Sequence, residues 1–121
     1  MPHIVFGEKI NLLQVYENFQ PIIQKSGNII RIKEIYLNPT KNNALISALT
    51  IDQTNQDFFI ELLVSDSKTT IRLLPLTDPK KTDSVKKAMV LVAQLILKEF
   101  PHLEITKTNL QDYLLEKSIP C

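Results

Sequence analysis

Few residues of this chain belong to the types that carry out catalysis or bind metal ions. The two histidines, His3 and His102, are far apart in the sequence, and neither has a Cys or a second His at the spacing of a metal site. The single cysteine, Cys121, has no neighbouring His or Asp that would activate it as a nucleophile. We therefore expect no metal ion and no cofactor, and we interpret Cys121 as an incidental thiol in a reducing cytosol.

Motifs that bind nucleotides or generate catalytic nucleophiles are also missing from the sequence. The only glycines are Gly7 and Gly27, too few for a loop that cradles phosphate, and there is no P-loop, GxGxxG or His-Glu-x-x-His sequence. No serine lies in a nucleophile elbow, and most carboxylates lie in polar turns or opposite lysines. The sequence therefore predicts a protein that is not an enzyme, although catalytic groups that assemble only in space leave no such pattern.

Basic residues cluster in one part of a chain whose overall charge is close to zero. The 14 Lys and Arg residues nearly balance the 13 Asp and Glu residues, but the segment from Lys68 to Lys98 holds seven basic and two acidic residues. Four of these lysines lie near residues 78–84, where a helix is expected to begin, and a helix N-terminus attracts anions. The candidate anion-binding residues are Lys80, Lys81, Lys86, Lys87, Arg31 and Arg72. The alternative is that Thr82 or Asp78 caps the helix and the lysines are solvated.

Length and composition favour one globular domain over residues 1–121. The chain is 44% hydrophobic and 22% charged, without a repeat or a Gly/Ser-rich linker, so one core can form without disulfides. The N-terminus lacks the pattern of a signal peptide, and the most apolar stretch, residues 88–97, is shorter than the roughly 20 residues that span a bilayer. We therefore predict a cytoplasmic protein that does not bind membranes.

Apolar periodicity predicts the elements that must position these residues. His3 to Phe6 fits a short strand, and the apolar spacing from Lys9 to Lys25 predicts an amphipathic helix that Pro21 kinks or restarts and Gly27 ends. The period then changes to two, which predicts four strands, around residues 30–33, 44–51, 58–64 and 70–74. Their polar connections are too short for parallel pairing, so these strands form an antiparallel meander.

A long helix, which begins at Asp78 or Thr82 and runs to about Glu99, follows the meander. Residues 103–106 fit a short additional strand, and a capping box at Thr108 predicts a last helix. The order is β-α-β-β-β-β-α-(β)-α, an α+β fold with helices on one face of a four-stranded antiparallel sheet. Up to about Glu99 this order resembles one half of the TATA-binding-protein fold. That resemblance implies a sheet face left free for DNA or protein, although no wedging phenylalanine pair or internal duplication is present.

The two faces of the predicted sheet differ in composition. The inner face is almost wholly apolar; its members are Ile30, Ile32, Leu45, Leu49, Ile51, Phe58, Ile60, Leu62, Val64, Ile71 and Leu73. The opposite face mixes charged residues with an apolar centre. This centre is the candidate interface, formed by Ile46, Ala48, Phe59 and Leu63. We expect it to be covered by a partner, by a small ligand or by the C-terminal segment. We therefore expect a small protein-binding domain that forms a homodimer or joins a protein assembly. The alternative is a nucleic-acid-binding domain that uses the free face and the basic helix start.

Overall fold

The elements of the chain form one seven-stranded sheet with helices beside it. The structure, a computed structural model, describes residues 2–118. Its elements are β1 (His3–Phe6), α1 (Leu12–Asn18), β2 (Ile22–Ser26), β3 (Asn28–Leu37), β4 (Asn43–Ile51), β5 (Asn55–Val64), β6 (Thr69–Leu73), α2 (Asp83–Glu99), β7 (Ile105–Thr108) and α3 (Gln111–Ser118). The strand order is β2-β3-β4-β5-β6-β1-β7. The α+β class and the antiparallel sheet are confirmed, but the sheet has seven strands rather than four.

Strands β3 to β6 form the predicted meander, because each connection closes on itself through local hydrogen bonds. At the β3–β4 turn, the Asn38 side-chain oxygen accepts from the backbone N–H groups of Asn42 and Asn43, both at 3.1 Å. At the β4–β5 turn, Asp52 Oδ1 accepts from the backbone N–H of Thr54 at 2.9 Å. Such side-chain bonds to the backbone are the reason that Asn and Asp favour tight turns.

The predicted helix from Lys9 to Lys25 is wrong over its second half. Helix α1 begins after Asn11, whose side chain accepts from the N–H of Leu13 at 3.0 Å, and it ends at Asn18. Pro21 has no N–H to donate, so the helix does not continue through it. The residues after Pro21 form strand β2 instead, since Ile22 and Ile23 are β-branched and pair with β3. Gly27 therefore turns a hairpin and does not end a helix.

The chain termini complete the other side of the sheet. Strand β1 pairs with β6 and also with β7, both antiparallel. The expected strand near residues 103–106 is present as Ile105–Thr108. The N–H of Gly7 donates to the carbonyl of Glu104 at 3.0 Å, beside an irregularity in the β1–β7 register.

All three described helices lie on the same side of the sheet, which we call the inner face. Helix α2 packs on β3, β4 and β6, and helix α1 packs on β3. Amide groups of Gln14 and Asn18 in α1 donate to the carboxylate of Glu99 at the end of α2. Helix α3 contacts α2, where the Tyr113 hydroxyl donates to Asp83 Oδ1 at 2.5 Å. The opposite face of the sheet, which we call the outer face, carries no helix among residues 2–118. None of the helices within residues 2–118 is long and apolar enough to cross a membrane.

Gly27 is the residue of the β2–β3 hairpin that only glycine accommodates without strain. It is the single residue between the paired Ser26 and Asn28, and its φ is +84°. Replacing Gly27 with Ala should lower the free energy of unfolding by about 1 kcal/mol, because a Cβ atom disfavours this left-handed backbone. Urea unfolding of the two proteins measures the difference. Gly27→Asn, which tolerates positive φ better, should cost less, and equal stability for Gly27→Ala would contradict this explanation.

Candidate binding surface

The phase of strand β4 is opposite to the one that the sequence predicts. Ile46 and Ala48 were expected on the free face, but both are 0% exposed and lie in the core beneath α2. Leu45, Leu49 and Ile51, expected in the core, lie on the outer face and are only half-buried. Half of the candidate interface is therefore wrong, while Phe59 and Leu63 do lie on the outer face.

Helix packing explains this reversal. Helix α2 lies across β3 and β4, and the β4 residues beneath the helices include Ala44 and Ala48, whose small side chains allow a helix to approach closely. Both rows of β4 are apolar, so alternation alone does not reveal which row faces the helix. The two alanines in one row were the feature of the sequence that could have identified the row facing the helix. The larger leucines in the other row instead favoured the wrong assignment.

Five apolar side chains form a patch at the centre of the outer face, which we call the outer patch. Tyr36 of β3 pairs with Leu45 of β4, and the Tyr36 ring meets the Phe59 ring edge-on with centroids 6.3 Å apart. The members of the outer patch are Tyr36, Leu45, Leu49, Phe59 and Leu63. Tyr36 is 50% exposed and the other four are half-buried. A cross-strand cluster of this kind keeps apolar surface in contact with water unless a partner covers it.

Two ion pairs lie on the outer face, and one of them includes Glu61, which lies between Phe59 and Leu63 of the outer patch. Arg72 Nε donates to Glu61 Oε1 at 2.7 Å, and the second Glu61 oxygen accepts from Asn43 Nδ2 at 3.0 Å. Lys33, which lies where the β3 register shifts, donates to Asp57 Oδ1 at 2.8 Å. The Glu61 side chain is only 8% exposed, whereas that of Asp57 is 73% exposed. The acidic and basic groups around the outer patch are therefore largely matched in pairs.

The structure does not bring the six predicted anion-binding residues into one site. Arg31 and Arg72 lie on the outer face, and Arg72 is engaged by Glu61. Lys81 lies 2.5 Å from Asp78, and Lys86 Nζ lies 5.7 Å from the centre of the Tyr113 ring. These two lysines line a cleft with Asn109.

Lys80 lies in a separate cleft, and Lys87 lies on α2 with contacts of its own. The single basic cluster expected from the sequence is therefore divided among several places.

The start of α2 is capped in the way that the alternative interpretation expected. Thr82 is the N-cap, and its side-chain oxygen accepts from the N–H of Val85 at 3.3 Å. Asp52, from the β4–β5 turn, also lies at this helix start in a polar cleft of about 400 Å³. Its carboxylate places negative charge where the sequence predicted a bound anion, an arrangement that the helix dipole favours. Sequence reasoning missed Asp52 because it is remote from α2 along the chain.

Several hydrogen bonds stabilise the charged form of Asp52. The backbone N–H of Thr54 makes the largest contribution, followed by the Ser84 hydroxyl, and together they lower the pKa of Asp52. The buried Ser84 hydroxyl makes no hydrogen bond of ordinary geometry, so its contribution is secondary to that of the Thr54 N–H. Asp52 therefore places a negative charge beside the N-terminus of α2, where the helix dipole stabilises it.

Comparison with known proteins assigns no family to this chain. No protein-family model, no curated protein and no solved structure matches it. The resemblance to half of the TATA-binding-protein fold therefore stays a likeness in element order, and strand β2 adds one strand to that order. Among the described residues, no group of three or more His, Cys, Asp and Glu side chains is placed to hold a metal ion.

The role of Asp52 can be tested by its pH dependence. Because its pKa is lowered on folding below the ordinary value of 3.8, ionised Asp52 stabilises the fold above that pH, and the stabilisation is lost as pH falls through the lowered value. Asp52→Asn, which keeps an acceptor for Thr54, should reduce stability at neutral pH but hardly change it well below pH 3.8. Urea unfolding across this range measures the effect.

Asp66→Asn is the matched control, since Asp66 is an exposed turn aspartate between β5 and β6. At neutral pH, Asp66→Asn should change the free energy of unfolding, relative to the wild type, much less than Asp52→Asn does. Equal pH profiles for the two variants would contradict a special role for Asp52.

Proposed function

We propose that this chain is a cytoplasmic protein-binding domain that acts by association rather than catalysis, and that its outer face joins a second copy of the chain. The observation that carries the proposal is the one-sided placement of the helices. Every described helix lies on the inner face, yet the outer face presents the outer patch, with Tyr36 half exposed and Phe59 beside it. In an antiparallel sheet with one solvated face, that face is ordinarily much more polar.

The outer face is large enough for a stable interface. Seven strands spaced about 4.8 Å apart, with central strands nine or ten residues long, give a face roughly 30 Å across in each direction at its widest. A standard protein interface buries about 800 Å² on each partner. The other four strands are only four or five residues long, so the whole outer face, and not its central part alone, supplies an area of this order.

The charges of the outer face favour a protein partner over a nucleic acid. Three basic residues lie on the central strands, Arg31, Lys33 and Arg72, and two of them are paired with Asp57 and Glu61. Nucleic-acid affinity depends mainly on cations available to phosphates. A surface with matched charges instead suits a copy of itself, since two such surfaces meet without strong net repulsion.

Replacing Phe59 with Lys should dissociate the protein without unfolding it. Phe59 lies at the centre of the outer patch and is half-buried in the single chain, so a charge is tolerated in the monomer but is costly inside an interface. Light scattering and sedimentation at about tens of micromolar, a working concentration for a weak dimer, measure the assembly. Circular dichroism verifies that the variant is folded.

Gln111→Lys is the matched control, because it adds the same charge at an exposed position on α3, away from the outer face. It should leave the assembly unchanged. A monomeric wild-type protein at these concentrations would overturn the homodimer. Oligonucleotide binding that declines steeply with salt and is lost in Arg31→Glu would favour the nucleic-acid alternative instead.

A further inference from the structure

A cleft lies beside the edge strand β2, on the inner side of the sheet. Helix α2 packs on β3, β4 and β6, so β2, the outermost strand next to β3, extends past the helix layer. The space left between them is an open cleft of about 290 Å³ whose apolar residues are Ile22 of β2 and Leu91 and Leu95 of α2. Asn18, at the end of α1, closes one side of it. We call this space the β2 cleft.

The free edge of β2 borders this cleft. Strand β2 pairs only with β3 among the strands of the described chain. In an edge strand, alternate residues direct their backbone N–H and C=O groups away from the sheet, where only another extended backbone matches their spacing. Ile22 belongs both to this edge and to the β2 cleft, so a strand added beside β2 would place every second side chain next to Leu91 and Leu95.

We propose that the β2 edge and the β2 cleft together bind a short extended peptide segment of another protein. The segment pairs with β2 through its backbone, and its alternate apolar side chains enter the cleft between β2 and α2. An acidic residue of the segment lies beside Lys98 at the rim. This binding mode is strand addition to a sheet edge, in which backbone bonds give affinity and side-chain pockets give specificity.

The charges at the rim support an acidic segment. Lys98 is exposed at the end of α2 and lines the cleft. The neighbouring Glu99 carboxylate already accepts from Gln14 Nε2 at 3.0 Å and from Asn18 Nδ2 at 3.2 Å. Glu99 is therefore held against α1, while Lys98 is exposed at the rim of the cleft, where it can meet a carboxylate.

The size of the cleft and the residues around it favour a peptide over other occupants. The volume of about 290 Å³ lies at the lower limit for small-molecule pockets, but such pockets bury most of the ligand, whereas this cleft is open to solvent on one side. Pro21 precedes β2 and Lys25 lies within it. Such residues hinder unlimited pairing between sheet edges, so the edge suits a short strand rather than repeated self-association.

The probe for this site is a phage-displayed library of short linear peptides, selected on the full-length protein. Selected peptides should alternate apolar residues and carry an acidic residue. When bound, they should slow amide hydrogen exchange within residues 22–26, at groups that β3 does not engage. Leu95→Asp, at a half-buried position on the cleft wall, should weaken their binding about tenfold or more.

Lys98→Glu is a second variant. Because Lys98 is exposed, this change should not disturb the fold, and it tests the site even if Leu95→Asp fails to fold. It should weaken the selected peptides roughly two- to fivefold, and peptides with Lys in place of the acidic residue should recover the loss. Phe59→Lys, on the outer face, should bind them as the wild type does, which separates this site from the proposed self-association. The proposal is overturned if no peptide is enriched, or if bound peptides protect other residues and ignore both cleft variants.

Discussion

The packing of α2 on the inner face is the constraint on which the rest of the structure depends. Its six consecutive residues 88–93 are all buried, so the middle of this helix is covered around its whole circumference. A sheet covers only one side of a helix. Helices α1 and α3 add further contacts, and their side chains are hydrogen-bonded to Glu99 and Asp83, near the two ends of α2.

This packing also decides which surfaces stay available to other molecules. Because α2 approaches β4 closely, the small residues Ala44 and Ala48 turn inward and the larger Leu45 and Leu49 turn outward. The outer patch is thus a consequence of how the core is filled. Because α2 packs mainly on β3, β4 and β6, the inner side of β2 is only partly covered, and an open cleft remains beside α2. One packing arrangement therefore generates both candidate binding surfaces.

Local patterns predicted the parts of the fold that local chemistry determines. The meander, the length of α2 and the Thr82 cap follow from alternation, helical periodicity and a side-chain hydroxyl beside the first turn. The segment after Pro21 was ambiguous, since its apolar spacing fits a helix while pairing with β3 makes it a strand. The phase of β4 and the position of Asp52 beside α2 depend on contacts between distant residues, which no local pattern encodes. The outer face was therefore predicted as a surface, but only Phe59 and Leu63 of its apolar residues were assigned to it correctly.

Glu61 shows why the outer face is suited to burial despite its charges. Covering a carboxylate with an apolar partner is costly when its oxygens lose water without replacement. Glu61 has already lost most of its contact with water, and its two oxygens are bonded to Arg72 and Asn43. A partner laid on this face therefore adds little desolvation at Glu61, while Leu63 on the same strand and Leu45 on the neighbouring strand β4, both half-buried, lose contact with water. The free energy of association at this position then comes from apolar burial, because the charge was compensated when the single chain folded.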